Sequence, residues 1–184
     1  DYYDGKRQIE NSTLHKSLNW MPKGGHLHLH PEAAIPPDVI IKLTKEDSVY
    51  YSMDENLFKV APKGLNLPGY EKWNTLRETW NREGTFDEYL QSKIRLSAED
   101  MSSKESLLIW QPFEHLFTMN YELVHYYKFY KEVLFAIWKQ AVKDGVTIVE
   151  LRHASSLLFD DNREVLTFEQ EFELYKEVIN EIRE

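Results

Sequence analysis

The 184 residues contain no cysteine, which excludes disulfides, thiolate metal ligands and a cysteine nucleophile. Long apolar runs are also missing, since none approaches the roughly 18 consecutive residues that a membrane-spanning helix needs. The chain opens at Asp1 without a charged and then apolar leader, so any signal peptide is expected to have been removed. Positive charge is in deficit: 22 Lys and Arg stand against 31 Asp and Glu, a formal net charge of −9. With no basic stripe to offset it, this balance argues against nucleic acid or an anionic membrane as the main partner. Disorder is excluded over most of the length by a hydrophobic content of 42 % and an aromatic content of 14 %. One domain with a sizeable core is expected. The compartment stays open, although Asn11-Ser12-Thr13 forms a glycosylation triplet and hints at export.

What the chain does have is Trp20-Met21-Pro22-Lys23-Gly24-Gly25-His26-Leu27-His28-Leu29-His30, three histidines at alternate positions after a Pro-Lys-Gly-Gly turn. Alternation is the strand period, so all three imidazoles leave one face. Two imidazoles separated by one residue can converge on zinc, for which neutral imidazole is a good ligand. The competing reading is a polar strand face that happens to be rich in histidine. Spacing alone leaves open whether the pair is His26/His28 or His28/His30.

Residues 4–18 read as a weakly amphipathic helical arm anchored by Ile9, Leu14 and Leu18. A strand is expected at 25–30, after which Pro31, Pro36 and Pro37 forbid regular continuation and Pro37 opens a helix through Leu43. Val49–Met53 and Leu57–Val60 suit a small hairpin, and 61–84 reads as loop with a short helix around Glu71–Trp80. Thr85 with Glu88 forms a capping box, and Ser102 with Glu105 marks another helix start. Apolar residues recur at helical spacing from Phe113 to Lys143, ended by Gly145. Val146–Arg152 has the β-branched profile of a strand buried on both faces. From Thr167 a capped helix carries Phe168, Phe172, Tyr175, Ile179 and Ile182 on its apolar side.

Strand, helices, strand, helix is how a parallel α/β architecture begins. Two parallel strands cannot bury their own faces, and a closed (β/α)₈ barrel takes about 250 residues. The expected fold is therefore the N-terminal part of a TIM-type barrel. Residues 1–20 would form the arm and 21–184 the first part of the barrel, with a mostly helical insertion at about 48–108. In such barrels function gathers at the carboxyl ends of strands, where His28 and His30 lie.

Met21-Pro22-Lys23-Gly24-Gly25 followed by Leu27-His28-Leu29-His30 resembles the opening of the adenosine deaminase family, and most of all its adenosine deaminase growth factor branch, also called adenosine deaminase 2. Ile109-Trp110-Gln111-Pro112-Phe113-Glu114-His115-Leu116-Phe117, the aromatic helix after it, and Val149-Glu150-Leu151-Arg152 extend the resemblance over most of residues 6–152. The resemblance implies a metal-dependent hydrolase barrel that converts adenosine to inosine and ammonia with zinc. It matches His28 and His30 to the first two zinc ligands, the offset from Lys23 favouring that pair over one with His26. It implies a purine nucleoside as small-molecule substrate, a secreted protein, and a homodimer to which 4–18 and the insertion contribute.

The family usually places an aspartate that contacts the sugar just past the histidines. Here Pro31 and Glu32 stand in that region, so Glu32 takes the role with a carboxylate one bond longer. The resemblance implies that Trp110 lines the substrate pocket, the competing reading being helix core, and Glu150 with Arg152 suits either a polar barrel mouth or a buried ion pair. Substrate-binding candidates are thus Glu32, Trp110 and Glu150. The family's third histidine ligand, aspartate ligand, glutamate proton donor and orienting histidine come from later strands, and their motifs are absent from these residues. No catalytic role falls to His15, His115, His125 or His153. The chain alone is expected to be inactive. The alternative function is a catalytically inactive, growth-factor-like binding module built on the same fold. Tyr126, Tyr127, Phe129 and Tyr130 read as helix packing, and Asp160-Asp161-Asn162 as a turn without calcium-loop spacing.

Overall fold

The computed structural model describes residues 2–64, 66–97, 100, 102 and 106–183. The arm is two helices, α1 (Tyr2–Asn11) and α2 (Thr13–Asn19). They part at Ser12, whose side chain caps α2 by accepting from the His15 amide at 3.0 Å.

Strand β1 (Gly25–Leu29) is one residue shorter than expected, because Pro31 occupies the first position of a short helical turn, α3 (Pro31–Ala34), with His30 as its N-cap. Helix α4 (Pro37–Leu43) follows as the prolines indicate and buries Ile40, Ile41 and Leu43. The hairpin forms between β2 (Val49–Ser52) and β3 (Leu57–Val60), with Asn56 at φ 54° in its turn. A third strand, β4 (Tyr70–Lys72), pairs with the other edge of β2 and leads into α5 (Trp73–Glu78). No alternation in residues 61–84 is long enough to reveal a three-residue strand.

The Thr85/Glu88 capping box starts α6 (Phe86–Lys93). The helix start expected from Ser102 and Glu105 rests on Glu105, which lies outside the described residues. Helix α7 (Ser106–His125) starts ahead of Phe113 and runs through Pro112. The long helical stretch is two helices, because α7 stops before Tyr126 and α8 (Tyr127–Lys143) begins after it. Tyr126 is extended (φ −75°, ψ 120°), and the Tyr127 and Phe159 amides donate to the Phe159 and His125 carbonyls at 3.1 and 3.0 Å. A distant loop thus takes over backbone groups that a continuous helix would satisfy internally. Gly145, at φ 71°, closes α8 as expected.

Strand β5 (Ile148–Leu151) pairs with β1 in parallel, Gly25 opposite Ile148 and Leu29 opposite Leu151. A side chain at Gly25 would lie 3.0 Å from Cβ of Ile148, so this approach requires glycine. The expectation of a strand buried on both faces fails: Ile148 and Glu150 are exposed, Val149 and Leu151 only half-buried. Two strands cover one face with helices and leave the other open. Closure into a barrel is not seen among the described residues. The core lies on the inner side, where Met119, Leu123 and Val124 of α7 meet Val133, Leu134 and Ile137 of α8, with Val60 and Leu90 from the hairpin and α6.

Helix α9 (Phe168–Arg183) faces the core with Glu171, Leu174 and Val178, while Phe168 and Phe172 are 63 % and 54 % exposed. The apolar row expected to pack inward mostly points out. No helix among the described residues is long and apolar enough to cross a membrane.

Candidate functional site

Leu29 and Leu151 oppose each other and pack on the core, so His28 and His30 leave the other face of the sheet. His30, the N-cap of α3, keeps an extended conformation (φ −87°, ψ 124°) that continues the strand's alternation by one residue. Its Nε2 comes to 3.1 Å from Nε2 of His28, with ring centroids 5.1 Å apart. Tetrahedral zinc holds imidazole nitrogens at about 2.0–2.1 Å, which puts two of them about 3.4 Å apart. The pair therefore fits one edge of such a site. Without a cation, one ring must donate and the other accept. His26 is exposed and has no comparable contact, the strand ladder being irregular between it and Leu29. Among the described residues no cluster of three or more metal-ligating side chains forms.

Beside the pair stands Glu32, in the first turn of α3. Its Oε1 is 3.1 Å from Nε2 of His125, whose Nδ1 donates to the Tyr121 carbonyl at 2.8 Å. A ring already donating at Nδ1 meets a carboxylate at Nε2 only if a proton lies between them. Burial pushes the Glu32 carboxyl up, but the hydrogen bond and charge of His125, its own backbone amide and His30 together hold it below the usual value. Its other oxygen, Oε2, is buried without a hydrogen-bond partner.

His30 and Glu32 open onto a cavity of about 410 Å³ whose other walls include Leu57, Lys59, Phe117 and Glu122. Glu122, with a side chain only 7 % exposed, is tied down from three sides. Arg163 donates to both its oxygens at 2.8 and 3.0 Å, Lys59 donates at 2.8 Å, and the Val60 amide at 2.8 Å. Burial raises the Glu122 carboxyl, but these donors more than reverse it and its pKa lies below the usual carboxylate range. The hairpin is thereby clamped to α7 beside the histidines.

Trp110 is 53 % exposed and does not line this cavity. It is the outer end of an aromatic row on α7: Trp110 on Phe113 at 5.2 Å, Phe113 edge-on to Phe117 at 5.1 Å, and Phe117 edge-on to His30 at 6.2 Å. Glu150 shares the sheet face of His28 and His30, because Leu151 beside it faces inward. It is exposed and pairs with Arg152 at 3.6 Å. The structure thus brings Glu32 next to His30, puts Glu150 on the same face, and leaves Trp110 separated from His30 by Phe113 and Phe117.

Sequence reasoning missed His125, Asn120 and Glu122. Phe117, Tyr121 and His125 recur every four residues on α7, a signal that could have placed His125 on the face towards β1. Nothing in the sequence marks Glu122, whose partners lie 41 and 63 residues away. A second buried carboxylate, Glu171, accepts from His153 at 2.9 Å and from the Ser156 amide at 3.1 Å, fixing the loop after β5 to α9.

A mixed α/β chain that ends a parallel strand on two converging imidazoles, with a carboxylate in the turn behind them, is the class of protein defined here. Its homologues among curated proteins are adenosine deaminases, including adenosine deaminase 2. It is 27 % identical over 187 residues to the adenosine deaminase of Phlebotomus duboscqi, covering 96 % of this chain and 36 % of that one. It is 25 % identical over 161 residues to adenosine deaminase 2-A of Danio rerio, covering 82 % and 32 %, and 26 % identical over 172 residues to adenosine deaminase 2 of Dictyostelium discoideum, covering 87 % and 31 %. The chain spans about a third of the length of these relatives. No family model matches it.

Proposed function

We propose that the chain is the N-terminal portion of a zinc-dependent purine nucleoside deaminase that hydrolyses adenosine to inosine and ammonia. The observation that carries this reading is the 3.1 Å approach of His28 and His30 at the carboxyl end of β1. The similarity to proteins named adenosine deaminase supports it. The chemistry zinc supplies when bound is acidification of a water to make a nucleophile near neutral pH. His28 and His30 are the residues here that would hold it. Glu32, kept ionised against His125, offers a carboxylate oxygen to a substrate hydroxyl, and Glu150 lies on the same side of the sheet. Phe117 lines the cavity, with Trp110 at the outer end of its aromatic row.

The barrel, of which β1 and β5 would be the first two strands, belongs to the same proposal. So does secretion, supported by the glycosylation triplet at Asn11, which is exposed at the end of α1. Ile9, Leu14, Leu18 and Trp20 form exposed apolar surface on the arm that suits a homodimer.

The test is inosine formation by the native polypeptide containing these residues. Activity is expected to disappear in His28→Ala and His30→Ala and to survive in His26→Ala. The 184 residues alone are expected to give no turnover, since they supply two ligands. Equal loss at His26, or full activity without His28 and His30, would contradict the assignment.

A further inference from the structure

A second chamber, of about 300 Å³, shares Glu32 and Phe117 with the cavity that His30 lines. Its walls are mostly apolar, among them Ile35, Ile94, Phe113 and Leu116, and three polar residues interrupt them, Glu32, Asn120 and the exposed Arg95. Glu32 and Asn120 each have a buried oxygen with no hydrogen-bond partner, Glu32 Oε2 and Asn120 Oδ1. Asn120 is 3 % exposed and sits inside α7, between Met119 and Tyr121. Buried polar atoms are nearly always paired, and leaving one unpaired costs about 1–3 kcal/mol. Leucine, of nearly the same shape, would fill the position without that cost. The amide is therefore held in the apolar wall at the expense of stability, as expected of a group kept for a ligand.

Both orphan atoms are acceptors, so the ligand must bring donors. Glu32 Oε1 already meets His125 Nε2 at 3.1 Å and the cationic Arg95 stands in the same wall, so uncharged donors suit the site better than an ammonium group. Apolar walls with two acceptors fit a ring bearing hydroxyl groups. We propose that Asn120 is a specificity-determining residue whose carboxamide oxygen, with the free oxygen of Glu32, accepts hydrogen bonds from the hydroxyls of a sugar-bearing ligand seated in this chamber. The proposal rests on the nucleoside reading for the rest of that ligand but needs neither zinc nor turnover.

The test compares the native polypeptide containing these residues with its Asn120→Leu variant in two measurements. Thermal melting is expected to rise in the variant, since an orphan amide is replaced by apolar contact. Calorimetric titration is expected to show that wild type binds adenosine at least tenfold more tightly than 2′,3′-dideoxyadenosine, and that Asn120→Leu loses most of that preference while binding 9-methyladenine as wild type does. The adenosine against dideoxyadenosine comparison in wild type stands even where the variant does not fold. A fall in melting temperature would assign Asn120 a structural role and overturn the proposal. Equal affinity for adenosine and dideoxyadenosine, or no adenosine binding, would also overturn it. Hydroxyl-dependent binding without deamination would instead contradict the deaminase reading alone. Deamination with unchanged sugar selectivity in Asn120→Leu would contradict this proposal alone.

Discussion

Glu122 shows how one side chain can organise the surroundings of a site it does not itself run. Its carboxylate gathers Arg163, Lys59 and the Val60 amide, so one buried charge joins α7, the hairpin and the loop that follows β5. Removing the charge leaves Arg163 and Lys59 facing a neutral group. Both are partly exposed, which limits the loss, so Glu122→Gln is expected to cost about 1–3 kcal/mol in denaturant unfolding. Its pKa is depressed in the folded chain, so its contribution is complete above the ordinary value of 4.5 and is lost as pH falls through the lower folded value. Wild-type stability should therefore drop below about pH 4.5, and the drop should be shallower in Glu122→Gln. Identical pH profiles would show that the clamp carries no charge-dependent stability.

The same scale explains why part of the site was legible and part was not. His28 and His30 are two residues apart on a strand, and period-two alternation alone sends their rings to one side. Glu32 follows within the next turn. His125, Asn120 and Glu122 reach the same region from a helix about 90 residues on, and no local pattern records that approach. Likeness of sequence points Trp110 to the pocket, but its position on the outer turn of α7 leaves it exposed, with Phe113 and Phe117 between it and His30.

Among the elements, those with strong local signals formed where expected: the proline-led α4, the hairpin, the boxed α6 and the glycine-closed α8. The departures arise where distant groups compete. The α7–α8 break at Tyr126 needs Phe159, which hydrogen-bonds into the gap from the loop after β5. Helix α9 shows that amphipathicity gives a period but not always the buried side. Leu174 is 6 % exposed and Phe172 54 %. Leu174→Ala should therefore cost about 2–4 kcal/mol, whereas Phe172→Glu should change stability by less than about 0.5 kcal/mol in these 184 residues. Chemical denaturation of the two variants checks this, and the reverse order would mean that α9 packs through the face carrying Phe168 and Phe172.

At the scale of the whole molecule, a two-stranded parallel sheet carries the site on its open face and is backed by helices and a three-stranded sheet on the other. Leu27 and Ile148 are exposed on that sheet, as expected if further strands of a barrel are to join it. The chain matches about a third of each relative's length, and the two histidines proposed to hold zinc lie within it. The central claim is that β1 presents His28 and His30, and not His26, to one cation. Histidine-ring nitrogen NMR during a zinc titration tests it most directly. Equimolar zinc is expected to shift the Nε2 signals of His28 and His30 together and to leave that of His26 in place. Zinc-dependent shifts at His26 with His28, or at neither His28 nor His30, would contradict it.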